Sequence, residues 1–152
     1  MQLNLKGKVA MVAASSKGLG FGIALELARE GAKLSIGSRS KSGIESAAKK
    51  LRQETEAEVL TSILDASNQQ SIQDWTIRTT DHFGGVDILV VNAGGPPPGK
   101  FMDFTDEDWQ AAFDMNLMSA IRMIREVVPS MAARGGGSIL TVTSSSVKEP
   151  ID

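Results

Sequence analysis

The chain has 152 residues, 41% hydrophobic and 22% charged, with no cysteine, no tyrosine and a single histidine, His82. That length and apolar content suit one domain with a substantial core and exclude a disordered chain. A formal net charge of −2 offers no footprint for nucleic acid or an anionic membrane, and the missing cysteines exclude disulfides, thiolate nucleophiles and Cys-based zinc sites.

One histidine also excludes a multi-histidine metal centre, so no metal site is expected. No apolar run has the length to span a bilayer, and residues 1–8 lack a signal-peptide core. The expectation is a cytoplasmic protein without membrane or nucleic-acid partners.

Short runs rich in Val, Ile and Leu alternate along the chain with segments of helical periodicity. The first run is Val9 to Ala13, and Ile23, Leu27 and Ala28 form the stripe of the helix behind it, which Gly31 ends. Lys33 to Gly37 is the second strand, and Ile44, Ala47, Ala48 and Leu51 are the next stripe. Glu54, Glu56 and Glu58 form a solvated link into a third strand, Val59 to Leu64. Ser67 and Gln70 have capping-box spacing for a helix carrying Ile72, Trp75, Ile77 and Thr79. His82 then falls near its C-terminus, where a cation suits the dipole, and Gly84-Gly85 ends it.

The fourth strand is Val86 to Val91, followed by an irregular loop, Asn92 to Phe104, stiffened by Pro96, Pro97 and Pro98. Thr105 and the acidic residues after it start another helix. A long stripe of Met115, Leu117, Met118, Ile121, Met123, Ile124, Val127 and Met131 is core or subunit-interface filling. Gly135-Gly136-Gly137 breaks this helix before a fifth strand, Ser138 to Thr143. Near-continuous apolar strands separated by amphipathic helices predict an α/β fold, a doubly wound parallel sheet with helices on both faces, as one domain over residues 1–152.

Between the first strand and helix lies Ala13-Ala14-Ser15-Ser16-Lys17-Gly18-Leu19-Gly20. Glycines there permit a tight turn and let phosphates approach the backbone, and the helix start offers free N–H groups. Gly22 is expected to allow close helix–strand packing. After the second strand, Ser38 and Arg39 stand where an acidic residue would bind a free ribose 2′-hydroxyl. An arginine there pairs with a 2′-phosphate, and Lys17 adds a second positive charge, so NADP(H) is favoured over NAD(H).

With these residues the chain resembles the short-chain dehydrogenase/reductase family, over essentially all of Leu5 to Asp152, and is most similar to its 3-oxoacyl-[acyl-carrier-protein] reductase-like members. The family's T-G-x-x-x-G-x-G motif falls on Ala13 to Gly20, keeping Gly18 and Gly20 but replacing Thr and Gly by Ala13 and Ala14. Its adenine-contacting aspartate matches Asp65, and its N-N-A-G motif matches Val91-Asn92-Ala93-Gly94. Its water-ordering helix asparagine matches Asn116, and its catalytic serine matches Ser144, with Ser145 or Ser146 as alternatives if the register slips.

The resemblance implies a Rossmann-like sheet of order 3-2-1-4-5, lacking the later strands. It implies a cofactor site of Ala14, Ser15, Ser16, Lys17, Gly18, Leu19, Gly20, Ser38, Arg39, Asp65, Asn92, Ala93 and Gly94, with Ser144 and Asn116 catalytic. It also implies a small-molecule carbonyl or alcohol substrate, and a homo-oligomer through the Asn116–Met131 helix.

Ketone reduction needs a hydride, a hydrogen bond to the carbonyl oxygen and a proton. In the resemblance a serine donates that bond, a tyrosine gives the proton and a lysine four residues on lowers its pKa. The sequence has no tyrosine, and neither His82 nor Lys148 is a convincing substitute. The chain is therefore expected to be the N-terminal part of a longer domain and inactive alone. The rival expectation is a non-catalytic dinucleotide-binding or scaffold module that kept the fold. Trp75 and Trp109 are expected to be packing residues. The fifth strand is expected to be an exposed edge that further strands or a partner must cover.

Overall fold

A computed structural model describes residues 3–95, 97–145 and 148; Pro96, Ser146, Glu149 and Pro150 lie outside them. The elements are β1 (Val9–Ala13), α1 (Gly18–Arg29), β2 (Lys33–Ser38), α2 (Lys41–Thr55), β3 (Val59–Ile63), α3 (Gln69–Phe83), β4 (Ile88–Val91), α4 (Asp106–Phe113), α5 (Ser119–Ala133) and β5 (Ser138–Thr141). The strands form one parallel sheet of order β3-β2-β1-β4-β5, as the resemblance implied.

Strand alternation builds two cores, one on each face. From β1, Ala10 and Val12 join Ala24 and Ala28 of α1 and Ile44, Ala48 and Leu51 of α2. Met11 and Ala13 point the other way, onto Ile72 and Trp75 of α3 and Met123, Val127 and Met131 of α5. Every residue of β1 is therefore buried, which explains its unbroken apolar run. Burying one such Val, Leu or Ile contributes about 1.5–3 kcal/mol.

One polar group enters this second core with its partners. Ser35, on β2, accepts a hydrogen bond from Trp75 Nε1 at 2.9 Å and meets Thr79 Oγ1 at 2.6 Å. Thr79 in turn donates to the Trp75 carbonyl. Trp75 thus packs as expected, with its indole N–H satisfied.

Several local expectations are corrected. The cap of α3 is Asn68, whose side chain accepts from the Ser71 amide at 3.0 Å. Ser67 instead donates its hydroxyl and amide to Asp65 Oδ1, forming an Asx turn ahead of the helix. On α3 the buried residues are Ile72, Trp75, Thr76 and Thr79, and Ile77 is exposed because the three-and-four spacing from Ile72 passes it by. Gly22 faces open space; the close packing belongs to Gly20. The β4 ladder starts at Ile88, and β5 ends at Thr141.

The helix after the proline loop is continuous but not uniform. Thr105 caps α4 in a full capping box with Asp108. A π-helical turn, Asp114–Met118, then joins α4 to α5 and carries Asn116. At the opposite end of the sheet, Asp87 precedes β4 and accepts from the Val9 amide at 2.8 Å and from Arg134 Nη2 at 2.9 Å. Lys8 stands 3.5 Å away. This carboxylate ties the start of β1 to the end of α5.

Candidate dinucleotide site

A cleft of about 570 Å³ opens at the carboxyl ends of β1, β2 and β4. In a parallel sheet this is where the strand order reverses, between β1 and β4. Its wall is the turn after β1. Ala14 adopts a positive φ of 48°, which a glycine would adopt without strain. Ser15 is fully buried and braces the turn, donating Oγ to the Val12 carbonyl at 2.8 Å and its amide to the Gly37 carbonyl at 3.2 Å. It supports the cleft from behind and is not among the lining residues.

Ser16, Lys17, Gly18 and Leu19 line the cleft, and α1 begins there with Lys17 at its N-cap and no side chain capping it. Helices α2 and α3 close their first turns with Ser40 and Asn68. The first N–H groups of α1 are thus left for an anion in the cleft. Gly20 shows why this turn is tight: a Cβ there would lie 2.5 Å from the Ala14 carbonyl oxygen and 2.7 Å from Asn92 Nδ2.

From β4 come Asn92, Ala93 and Gly94, all lining the cleft. The Asn92 amide donates to the carbonyls of Ala13 and Ala14 at 3.3 and 3.4 Å, joining the two loops. From β2 come Ser38 and Arg39. Arg39 is exposed, and among the described residues neither it nor Lys17 has an ion-pair partner. Two unneutralised cations at one cleft suit an anionic ligand.

Asp65 is not among the lining residues; its carboxylate holds the Ser67 turn, and its amide donates to Ser71 Oγ at 2.9 Å. Ser40, Leu64, Ala66 and Met115 line the cleft without having been expected there. Leu64 and Ala66 follow β3, and the strand order alone would have brought them beside β2. Met115 has no local signal, because the fold of the α4–α5 segment brings it in.

The candidate catalytic residues sit outside the lining of the cleft. Asn116 is exposed in the π-helical turn, its Nδ2 donating to the Ala112 carbonyl at 2.8 Å. Such turns often occur at functional sites. Ser144 is exposed, three residues past β5. Because Val91 pairs with Thr141 in parallel, Asn92 and Ser144 leave the sheet at the same end. His82 stands elsewhere, 3.2 Å from Glu58, which also pairs with Lys33 at 3.1 Å. The Lys33 hydrogen bond and charge, with a smaller contribution from His82, hold the Glu58 carboxyl below its ordinary range. Trp109 is half exposed and meets Phe101 at a tilt and Phe104 edge-on, so it packs only in part.

No helix among the described residues is long and apolar enough to cross a membrane. A sequence model for the short chain dehydrogenase family matches residues 8–152. The human protein named dehydrogenase/reductase SDR family member 4 is 35% identical over 147 residues, covering 96% of this chain and 52% of that protein. L-sorbose reductase from Gluconobacter frateurii, solved with NADPH and L-sorbose, superposes with a TM-score of 0.96 at 34% identity, over 99% of this chain and 57% of that one. A 7α-hydroxysteroid dehydrogenase solved with NADH and 7-oxo glycochenodeoxycholic acid gives 0.91 at 28% identity, over 97% and 57%. The chain spans about half the length of the curated relatives it matches. With the parallel sheet, the glycine turn and this match in hand, the chain belongs to the short-chain dehydrogenase/reductase family of oxidoreductases.

Proposed function

We propose that this chain carries the NADP(H) half-site and the serine–asparagine part of a carbonyl reductase or alcohol dehydrogenase, of the 3-oxoacyl-[acyl-carrier-protein] reductase-like kind, acting in the cytoplasm. The observation that carries this reading is one cleft shared by the uncapped start of α1, the free cations Lys17 and Arg39, and Asn92 to Gly94. The donor set fits the group: backbone N–H groups for a pyrophosphate, and a guanidinium for a 2′-phosphate. A bound nicotinamide dinucleotide supplies or accepts the hydride.

The chain's own residues bind and orient. Lys17 and the first amides of α1 hold the phosphates, and Arg39 holds the ribose phosphate. Asn92 keeps the turn after β1 in register with the loop after β4. Ser144 donates a hydrogen bond to the carbonyl oxygen of the substrate, and Asn116 orders a water near it. NADPH and NADH both occur among similar proteins, and the preference for NADP(H) rests on Arg39.

Calorimetric titration with NADPH and NADH tests the reading. Saturable binding is expected, tighter for NADPH, and binding of neither refutes it. A second reading, a dinucleotide-binding module without turnover, is favoured by the absence of any phenolic proton donor in the 152 residues. Losing a general acid costs on the order of 10²–10⁴ in rate, so the chain alone should show little ketone-dependent NADPH oxidation. Saturable dinucleotide binding without any ketone-dependent NADPH oxidation supports the module reading.

The exposed apolar groups support a homo-oligomer. Phe113, Leu117 and Val128 lie exposed along the α4–α5 segment. This extends to α4 the Asn116–Met131 helix proposed as the contact between copies. On β5, Ile139 and Leu140 are exposed along the sheet edge, a surface on which a partner strand can pair.

A further inference from the structure

A second cavity, of about 400 Å³, lies between the proline loop and α4. Phe104 and Trp109 form an aromatic corner, ring centroids 6.2 Å apart and nearly perpendicular. The loop is seated on that corner: a Cβ on Gly99 would come within 2.5 Å of the Phe104 ring. Ala111 and Ala112 leave the space on the helix side, and Gly95 and Pro97 line the loop side.

The cavity lining carries one carboxylate and no cation. Asp108 lines it, but its Oδ2 already accepts from the Thr105 amide and hydroxyl at 3.0 and 3.1 Å. The remaining walls are apolar or aromatic, so the chemistry selects a neutral, flat, apolar group. The cavity also adjoins the candidate site. Met115 lines both it and the dinucleotide cleft, and Gly94 and Gly95 are consecutive residues in the two linings. The carbonyl of Ala112, in the cavity wall, holds the side chain of Asn116.

We infer that this cavity receives an aryl or cyclic hydrocarbon substituent of the carbonyl substrate, while the carbonyl itself lies toward Met115 and Asn116. The inference rests on the reductase reading above, and it narrows the substrate class to ketones bearing a bulky apolar arm. Ala111 and Ala112 set its size, and Trp109 supplies the flat contact.

The full chain, with NADPH present, is titrated with propiophenone and with 2-butanone while tryptophan fluorescence is followed. Trp109 reports the cavity, and Trp75, only 1% exposed, stays constant. Saturable quenching by propiophenone alone is expected. Ala112→Leu and Ala111→Leu, each filling the cavity, should raise the propiophenone Kd at least tenfold and leave the NADPH Kd within twofold. Propiophenone binding unchanged in both variants overturns the inference, as does absence of saturable binding while NADPH binds. If NADPH fails to bind but propiophenone still saturates and the variants weaken it, the cavity stands and the dinucleotide reading falls. Concentration-dependent dimerisation that both variants abolish, without ketone binding, assigns the cavity to a second copy and overturns the inference.

Discussion

The Asn92 side chain donates to the carbonyl of Ala14, a residue held at a positive φ of 48°. One amide thus spans the loops after β4 and β1 and keeps a left-handed alanine in place. A hydrogen bond of this kind contributes about 0.5–1.5 kcal/mol net. Asn92→Ala is expected to weaken NADPH binding about 3- to 10-fold by calorimetry. Asn92→Asp, which cannot donate and sets a charge against two carbonyl oxygens, should lose more than the alanine variant. Equal affinity in both variants and the parent chain would remove Asn92 from the site.

Gly20 and Gly22 are two residues apart on α1 and should respond in opposite directions. A methyl on Gly20 meets the Ala14 carbonyl at 2.5 Å, whereas on Gly22 it meets nothing within 4 Å. Gly20→Ala is expected to cost about 1–3 kcal/mol through overpacking against backbone. Gly22→Ala should gain about 0.5–1 kcal/mol by restricting the unfolded chain within a helix. Thermal melts of the two variants, with shifts of opposite sign, check the pair.

Arg39 is expected to discriminate the two dinucleotides. A charge-assisted contact is worth about 1.5–3 kcal/mol, less where water screens it and Lys17 remains. Arg39→Ala should therefore raise the NADPH Kd about tenfold and leave the NADH Kd within twofold. Raising salt should weaken NADPH binding in the parent chain more than in the variant.

Asp87 is nearly buried and should make stability fall in acid. Burial pushes its carboxyl up, but the hydrogen bonds from Arg134 and the Val9 amide, with the charges of Arg134 and Lys8, hold it below its ordinary value. A lowered folded pKa adds stability that is fully present above the unfolded value of about 3.9 and is lost as pH falls through the folded one. Asp87→Asn should cost about 2 kcal/mol at neutral pH, and its urea midpoint should fall less than the parent's between neutral pH and pH 3.

The residues that could be read in advance were those whose environment is local. Ile44, Ala47, Ala48 and Leu51 are all buried on α2 because helical spacing alone puts them on one face. Ile77 belongs to a weak stripe on α3 yet lies off the buried arc. Ser67 has the spacing of a cap, yet the Asp65 side chain captures it first. Met115 was read only as filling, and its place between two cavities depends on the α4–α5 segment folding back against the loop after β4.

Sequence by itself determined the alternation of buried strands and amphipathic helices, since apolar runs and helical stripes are properties of neighbouring residues. It also determined the glycine turn, where backbone geometry demands particular residue types. Tertiary structure alone decided that Ser15 supports the cleft from behind and that Asp65 holds the Ser67 turn outside its lining. It alone decided that Phe104 and Trp109 wall a second cavity beside the first. Those outcomes depend on which strand lies next to which and how loops pack across their ends, and no single stretch of sequence contains that information.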